Sequence, residues 1–327
     1  FYAKQCPLDY EQTLIMAERA LNNKIDLLGT GLIDLGAKID WHKDYKSNIR
    51  WEPKYISKIS YSNPFDKSDV KIPWEISRMQ WLIPLGQQYL LTKEEKYAEK
   101  VKNILSDWIE NNPYAQSVNW SCTMEVALRI FTWSWFFHVF KNSSSWNNNT
   151  FKRMFLKNLW LHGNFTEKHL ERSDVNGNHF TADAAGMVVA GLFFGKGKDA
   201  KRWHNSGWEL LEEELPKQVY QDGVNYEASV PYHRLVLELF LFPAILRQKN
   251  GYPISKNYID RLESMAMFSI TATRSDGTVP VWGDADDARA LPFRFNATND
   301  HRYLVGLVGI SLKREHLVKY FSGSVSE

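Results

Sequence analysis

Cysteine is nearly missing: Cys6 and Cys122 are the only two in 327 residues. Two thiols cannot build a disulfide framework, and neither has a neighbour at a metal-ligand spacing. Long apolar runs are missing too. The longest, 184–194 and 235–246, fall short of the ~20 residues that a membrane-crossing helix needs, and the second contains Glu238 and Pro243. No membrane span is expected. An excess of one charge is also absent, since 40 Lys and Arg against 38 Asp and Glu leave a net charge of +2. Nucleic-acid binding needs clustered cations, so that class drops out. None of the nine histidines stands in an H-E-x-x-H-type spacing, and neither a metal nor a cofactor is expected. The chain begins at Phe1 with no Met and no signal-like apolar core. The expectation is that a leader was removed or the chain trimmed, with a periplasmic or secreted location.

Aromatic side chains, by contrast, are abundant: 13 Trp, 15 Tyr and 18 Phe. Most belong in a core of large side chains. A handful are expected to line a cleft in which sugar rings stack.

The dominant pattern is helical. Residues 9–23 carry apolar side chains at helical spacing, whereas 27–66, with Gly29, Gly31, Gly36, Trp41, His42 and Trp51, read as a long irregular segment that wraps a site or a surface. From Pro73 the helical pattern persists: one helix through Trp74, Trp81 and Leu90, a second opened by the capping-box spacing of Thr92 and Glu95, and a third from Ser121. Further helices fit 150–171, 179–194, 199–215, 231–248, 255–271 and 301–312. Strand alternation and a fixed repeat period are both absent, which argues against a tetratricopeptide-like array. The fold class is all-α, an incomplete (α/α) toroid of antiparallel helical hairpins over 1–312. Residues 313–327 read as a tail leading toward a C-terminal domain that the chain lacks.

Ser173 to Phe180 interrupts this pattern with a polar loop ending at the start of an apolar helix. Asn178 or a neighbour is expected to cap that helix, and its free N–H groups and dipole favour an anion such as a carboxylate beside Asn178 and His179. Pro231 suits the first turn of a helix that would place Tyr232 at a second positive helix end, near His233 and Arg234, where the phenol pKa should fall. Each residue has a plainer reading. Asn178 alone is a helix cap, Tyr232 a core residue with its hydroxyl satisfied, and the histidines ordinary surface or core residues. Glu125 and Arg129, four apart, make an i,i+4 ion pair, and Arg78 pairs with Glu75.

Five stretches occur together: Asp69 to Arg78 (DVKIPWEISR), Asn119 to Arg129 (NWSCTMEVALR), Gly177-Asn178-His179, Asp222 to Arg234 (DGVNYEASVPYHR) and Gly283 to Asp287 (GDADD). In this order, over nearly the whole chain, they resemble the heparinase II/III-like polysaccharide lyases. The resemblance implies a helical toroid followed by a β-sandwich domain, with an acidic polysaccharide held between them and broken by β-elimination. It implies that Asn178 and His179 neutralise the uronate carboxylate and that Tyr232 serves as base, acid or both. A further histidine is drawn from the β-sandwich. Arg78, Asn119, Trp120, Glu125, Arg129, His233 and Arg234 are the candidate substrate contacts or supports.

The chemistry fits these assignments, because a proton beside a carboxylate leaves only if donors are aimed at the charge that develops. The function expected is a uronate polysaccharide lyase, of which this chain is a fragment. Two rivals stand beside it. One is a glycan-binding or polysaccharide-biosynthesis-associated domain without turnover. The other is a glycoside hydrolase using carboxylates such as Glu125, Glu227 and Asp284.

Overall fold

The computed structural model describes residues 2–61, 65, 67–286, 288–294 and 299–325. It divides into two compact units, 1–168 with 291–295, and 169–290 with 296–327. Asp287 of the last motif lies outside the described residues.

The first unit opens with α1 (Tyr2–Gln5) and α2 (Pro7–Leu21), the latter with its proline in the first turn. The irregular stretch expected over 27–66 starts within a small antiparallel hairpin, β1 (Lys24–Asp26) with β2 (Leu32–Asp34), and holds an isolated bridge between Lys43 and Arg50. It is held down by Trp41, whose indole N–H donates to Asp107 at 2.6 Å, and by the buried Trp51.

The single helix expected over 74–90 is two: α3 (Lys71–Arg78) and α4 (Ile83–Thr92), with a 3-10 turn at Gln80–Leu82 between them. Met79 adopts a left-handed φ of 59° and Pro84 falls in the first turn of α4, where its missing N–H costs nothing. Next comes α5 (Glu95–Asn111), which does not start with the expected capping box. Thr92 sits in the previous helix, and Glu95 instead accepts from the backbone N–H groups of Ser144 and Ser145 at 3.0 Å each.

The helices α6 (Thr123–Phe140) and α7 (Asn149–Lys168) complete this unit. Their packing builds an aromatic core in which Trp108, Trp120, Trp133, Trp146 and Phe155 are fully enclosed. Gly86 on α4 admits Trp135 so closely that a Cβ there would lie 2.4 Å from its ring.

The second unit starts with α8 (Asn178–Phe194) and α9 (Lys198–Gln218), a hairpin joined by three residues. Twelve of the seventeen residues of α8 are buried, as an all-round apolar helix demands. Its approach to α9 depends on Gly191, where a Cβ would meet the His204 backbone nitrogen at 2.5 Å. Then follow α10 (Val230–Lys249), α11 (Lys256–Ala272), α12 (Arg302–Leu312) and α13 (Glu315–Val325). Residues 315–325, read as tail, are therefore helical, and α13 packs on α12. No helix among the described residues is long and apolar enough to cross a membrane.

Candidate active site

Two helix N-termini of the second unit carry the polar residues singled out above. At α8 the cap is Gly177, with extended backbone and no side chain to offer, and Asn178 is the first helical residue rather than the cap. The donors expected to attract a carboxylate already hold one from the protein. Glu227 accepts from the Asn178 backbone N–H at 2.7 Å and from its side-chain Nδ2 at 2.8 Å.

His179, next on the helix, has a half-exposed side chain, and its Nδ1 lies 3.0 Å from the Glu171 carboxylate. A carboxylate can only accept, so Nδ1 carries the proton. Glu171 is fixed through its backbone N–H, which donates to Asp183 Oδ2 at 2.8 Å. Asp183 is fully buried, and burial, reinforced by the charge of Glu171, pushes its carboxyl well above the usual range.

At α10 the cap is Ser229, whose hydroxyl accepts from the Tyr232 N–H at 3.1 Å, and Pro231 occupies the first turn as expected. The Tyr232 hydroxyl stands 3.0 Å from Asp284 Oδ2 and 3.2 Å from Asp286 Oδ2. The expected fall in its pKa is not found. Burial, then the charge of Asp286 and the hydrogen bond to Asp284, push the phenol up instead. A phenolate there would face two carboxylates, whereas a phenol can donate to them. These two carboxylates converge on an O–H group rather than framing an open cage for a cation.

His233 and Arg234 do not accompany Tyr232. Each residue turns ~100° about a helix axis, which carries these two side chains inward. His233 is 1% exposed and Arg234 fully enclosed. The His233 Nε2 donates to the Met265 carbonyl at 3.0 Å, its Nδ1 has no partner, and burial holds its pKa down at about 4. Arg234 donates to the Ala288 carbonyl at 3.2 Å. Neither side chain stands at the phenol as a cation to favour its ionisation, which corrects the charge argument made for Tyr232.

One segment ties the two helix starts together. Glu227 reaches α8, and Ser229, two residues on, caps α10 and donates to the Asp284 carbonyl at 2.6 Å. Gly283 lies so close that a Cβ there would be 2.7 Å from the Ser229 Cα. Beside it, Trp282 is 70% exposed, and with Val224, Val230, His233 and Phe268 it lines a pocket at the foot of α10.

The remaining candidates lie inside the first unit. Arg78 pairs with Glu75, as its plainer reading had it, and also reaches both oxygens of Glu125 at 2.6 and 2.7 Å. Arg129 is enclosed against Trp108 and Trp120 and donates to the Asn119 carbonyl at 2.6 Å and to His162 at 3.0 Å. Glu125 thus pairs with Arg78 rather than making the expected i,i+4 bond. Asn119 donates to the Trp41 carbonyl and to Asn112, and Trp120 to the Asn112 carbonyl. All five side chains are at most 4% exposed, so in this structure they hold the interior and present no surface to a ligand. The apolar surround of α6 was the signal for this, since charges on an all-apolar helix are buried ones. From the sequence, Glu171 and Asp286 are missed as partners, and Glu227 and Asp284 are offered only as carboxylates for the hydrolase rival. Their bonds span 8 to 54 residues, and no local spacing encodes them.

The family model described as Heparinase II/III N-terminus matches residues 10–301, and the chain belongs to that family. Its relatives include the heparin-sulfate lyase of Pedobacter heparinus, 28% identical over 287 residues, covering 85% of this chain and 40% of the relative. The heparin-sulfate lyase of Bacteroides stercoris is 27% identical over 239 residues, 66% of this chain and 35% of the relative. Among solved structures, heparan sulfate lyase HepC from Pedobacter heparinus matches with a TM-score of 0.66 at 24% identity, over 96% of this chain and 45% of that one. The chain thus spans less than half the length of these relatives.

Proposed function

We propose that the protein containing this chain is a polysaccharide lyase that breaks a uronic-acid-containing polymer by β-elimination. The reading is supported by relatives named heparin-sulfate lyases and, above all, by one observation. Tyr232 is held as a phenol at the start of α10, in the same unit as Asn178 and His179.

In the proposed reaction the uronate carboxylate lies against the Asn178 amide and a doubly protonated His179, which offset charge as the C5–H bond breaks. The electron pair of that bond forms the C4–C5 double bond while the C4–O bond breaks. The leaving oxygen keeps its pair and takes the phenol proton of Tyr232. A group kept protonated suits the acid role and not the base. The base is then a separate group, and the further catalytic or neutralising histidine that the resemblance draws from a β-sandwich domain is the candidate for it. Trp282 offers a face on which a neighbouring sugar ring stacks. A secreted or periplasmic location suits a polymeric substrate.

The hydrolase rival needs two carboxylates flanking a bond. Glu125 is engaged by Arg78, Glu227 by Asn178, and Asp284 by Tyr232. The test is product chemistry. Elimination leaves unsaturated ends that absorb in the ultraviolet, hydrolysis leaves saturated ends, and a binding domain releases neither.

A further inference from the structure

The two contacts of Glu227 with Asn178 have a consequence for how the amide is aimed. An asparagine side chain presents a donor at one corner and an acceptor at the other, and its terminal torsion is broadly two-fold. Free at a helix start, it can turn either corner outward, and a carbonyl turned toward a uronate would repel it. Here the backbone N–H of Asn178 cannot turn, and it fixes Glu227 Oε1 at 2.7 Å. The second oxygen, Oε2, then meets the side chain at 2.8 Å and can accept only, so it selects Nδ2 and turns Oδ1 away. One N–H of Nδ2 is used by Glu227, and the second stays available.

The surroundings hold Glu227 in that position. Its backbone N–H donates to Asn225 Oδ1 at 3.0 Å, and the Tyr226 N–H to the Gln218 carbonyl at 2.8 Å. The Tyr226 hydroxyl donates to the Asn176 carbonyl at 3.0 Å, and Ala228 takes a left-handed φ of 53° to turn the chain back to α10. Gly177 leaves the approach open, since a Cβ there would stand 2.8 Å from Glu227 Oε1 and 3.2 Å from the Tyr226 hydroxyl.

We infer that Glu227 is a positioning residue that sets the flip state of the Asn178 amide, so that an N–H rather than a carbonyl faces the substrate carboxylate. The inference rests on the reading of Asn178 as the uronate-facing group. It makes a specific demand of Glu227→Gln, a nearly isosteric change. The backbone N–H still requires an oxygen, so the new NH2 group faces Asn178, whose amide must turn over to present Oδ1.

The test pairs nitrogen-15 spectra of the Asn178 side-chain amide with kinetics on the uronate polymer that the wild type cleaves, in wild type, Glu227→Gln, Asn178→Ala and the double variant. Thermal melting of each variant reports folding. The expected result for Glu227→Gln is an unchanged melting temperature, displaced Asn178 NH2 resonances, and kcat lower by about 10²-fold with KM within about twofold. In the Asn178→Ala background the same change should cost no more than about twofold, because its effect passes through the amide. Undisplaced resonances, wild-type kcat, or an equal loss without Asn178 would overturn the inference. So would a lower KM, which would make Glu227 a competitor of the substrate carboxylate. If no wild-type preparation yields ultraviolet-absorbing product from any uronate polymer, it is the lyase reading that fails, and the amide resonances alone then decide the role of Glu227.

Discussion

Two polar networks in this protein use the same residue types for opposite ends. In the first unit Arg78, Glu125, Arg129, Asn119 and His162 are enclosed, and their bonds hold helices and a loop to one another. At the start of α8 and α10 in the second unit, Asn178, His179 and Tyr232 are part-exposed to exposed, and bonds from Glu227, Glu171 and the aspartates hold them at the surface. The difference lies in where the spare hydrogen-bonding capacity points. A buried network turns its groups on each other, because an unpaired buried donor costs free energy. The surface network orients Asn178, His179 and Tyr232 through carboxylates while leaving their side chains partly open to solvent.

Breaking the enclosed network should cost stability most. Arg129→Ala opens a cavity between Trp108 and Trp120 and takes the partner from the Asn119 carbonyl and from His162 Nε2. We expect a loss of about 3–5 kcal/mol in chemical denaturation. A variant within 1 kcal/mol of wild type, on the scale of ~1 kcal/mol per net hydrogen bond, would remove the contrast drawn here.

Acid should act on the enclosed groups next. His233 and His301 are held at about 4 and about 3, chiefly by burial and, for His301, also by Arg234. Their folded pKa values lie below the unfolded value of ~6.5, so the unfolded chain binds more protons in between. Their contribution is complete above about pH 6.5 and is lost as pH falls toward 4. For His233 it is on the order of 3 kcal/mol. Melting curves from pH 7 to pH 4 measure it, and a flat profile would contradict the assignment.

Asn178→Ala sharpens the other half of the comparison. Turnover of a uronate polymer should fall about 10²-fold or more, with the denaturation midpoint moved little, because the residue is part-exposed. The smallest effect is expected at Trp282→Ala, where loss of one stacking face should raise KM about fivefold, or ~1 kcal/mol, with kcat unchanged.

Much of the fold was legible in the sequence, because helical spacing of apolar residues is a local signal that packing reinforces. The breaks were less so. Nothing local announces the left-handed turn at Met79, and Thr92 and Glu95 have the capping spacing without the capping bond. At the site, Asn178, His179 and Tyr232 could be picked out by their place at helix starts, and Pro231 was read correctly. Their partners could not. Glu227 lies 49 residues from Asn178, and Asp284 and Asp286 lie 52 and 54 from Tyr232. The direction of the Tyr232 shift was misjudged for that reason: sequence put His233 and Arg234 beside it, and helix rotation took them away. The apolar surround of α6 likewise keeps Glu125 and Arg129 from the surface, and Arg78 of α3 is drawn in by its bonds to Glu125.

The account turns on Tyr232 as the proton donor of an elimination. The direct measurement is ultraviolet absorbance of unsaturated ends, with wild type and Tyr232→Phe on a panel of heparan sulfate, hyaluronan, alginate and bacterial capsule polymers. Wild type should generate absorbance from at least one polymer. Tyr232→Phe should lose about 10³-fold or more of that rate while binding the same polymer within a few-fold. Undiminished turnover in Tyr232→Phe would contradict the account.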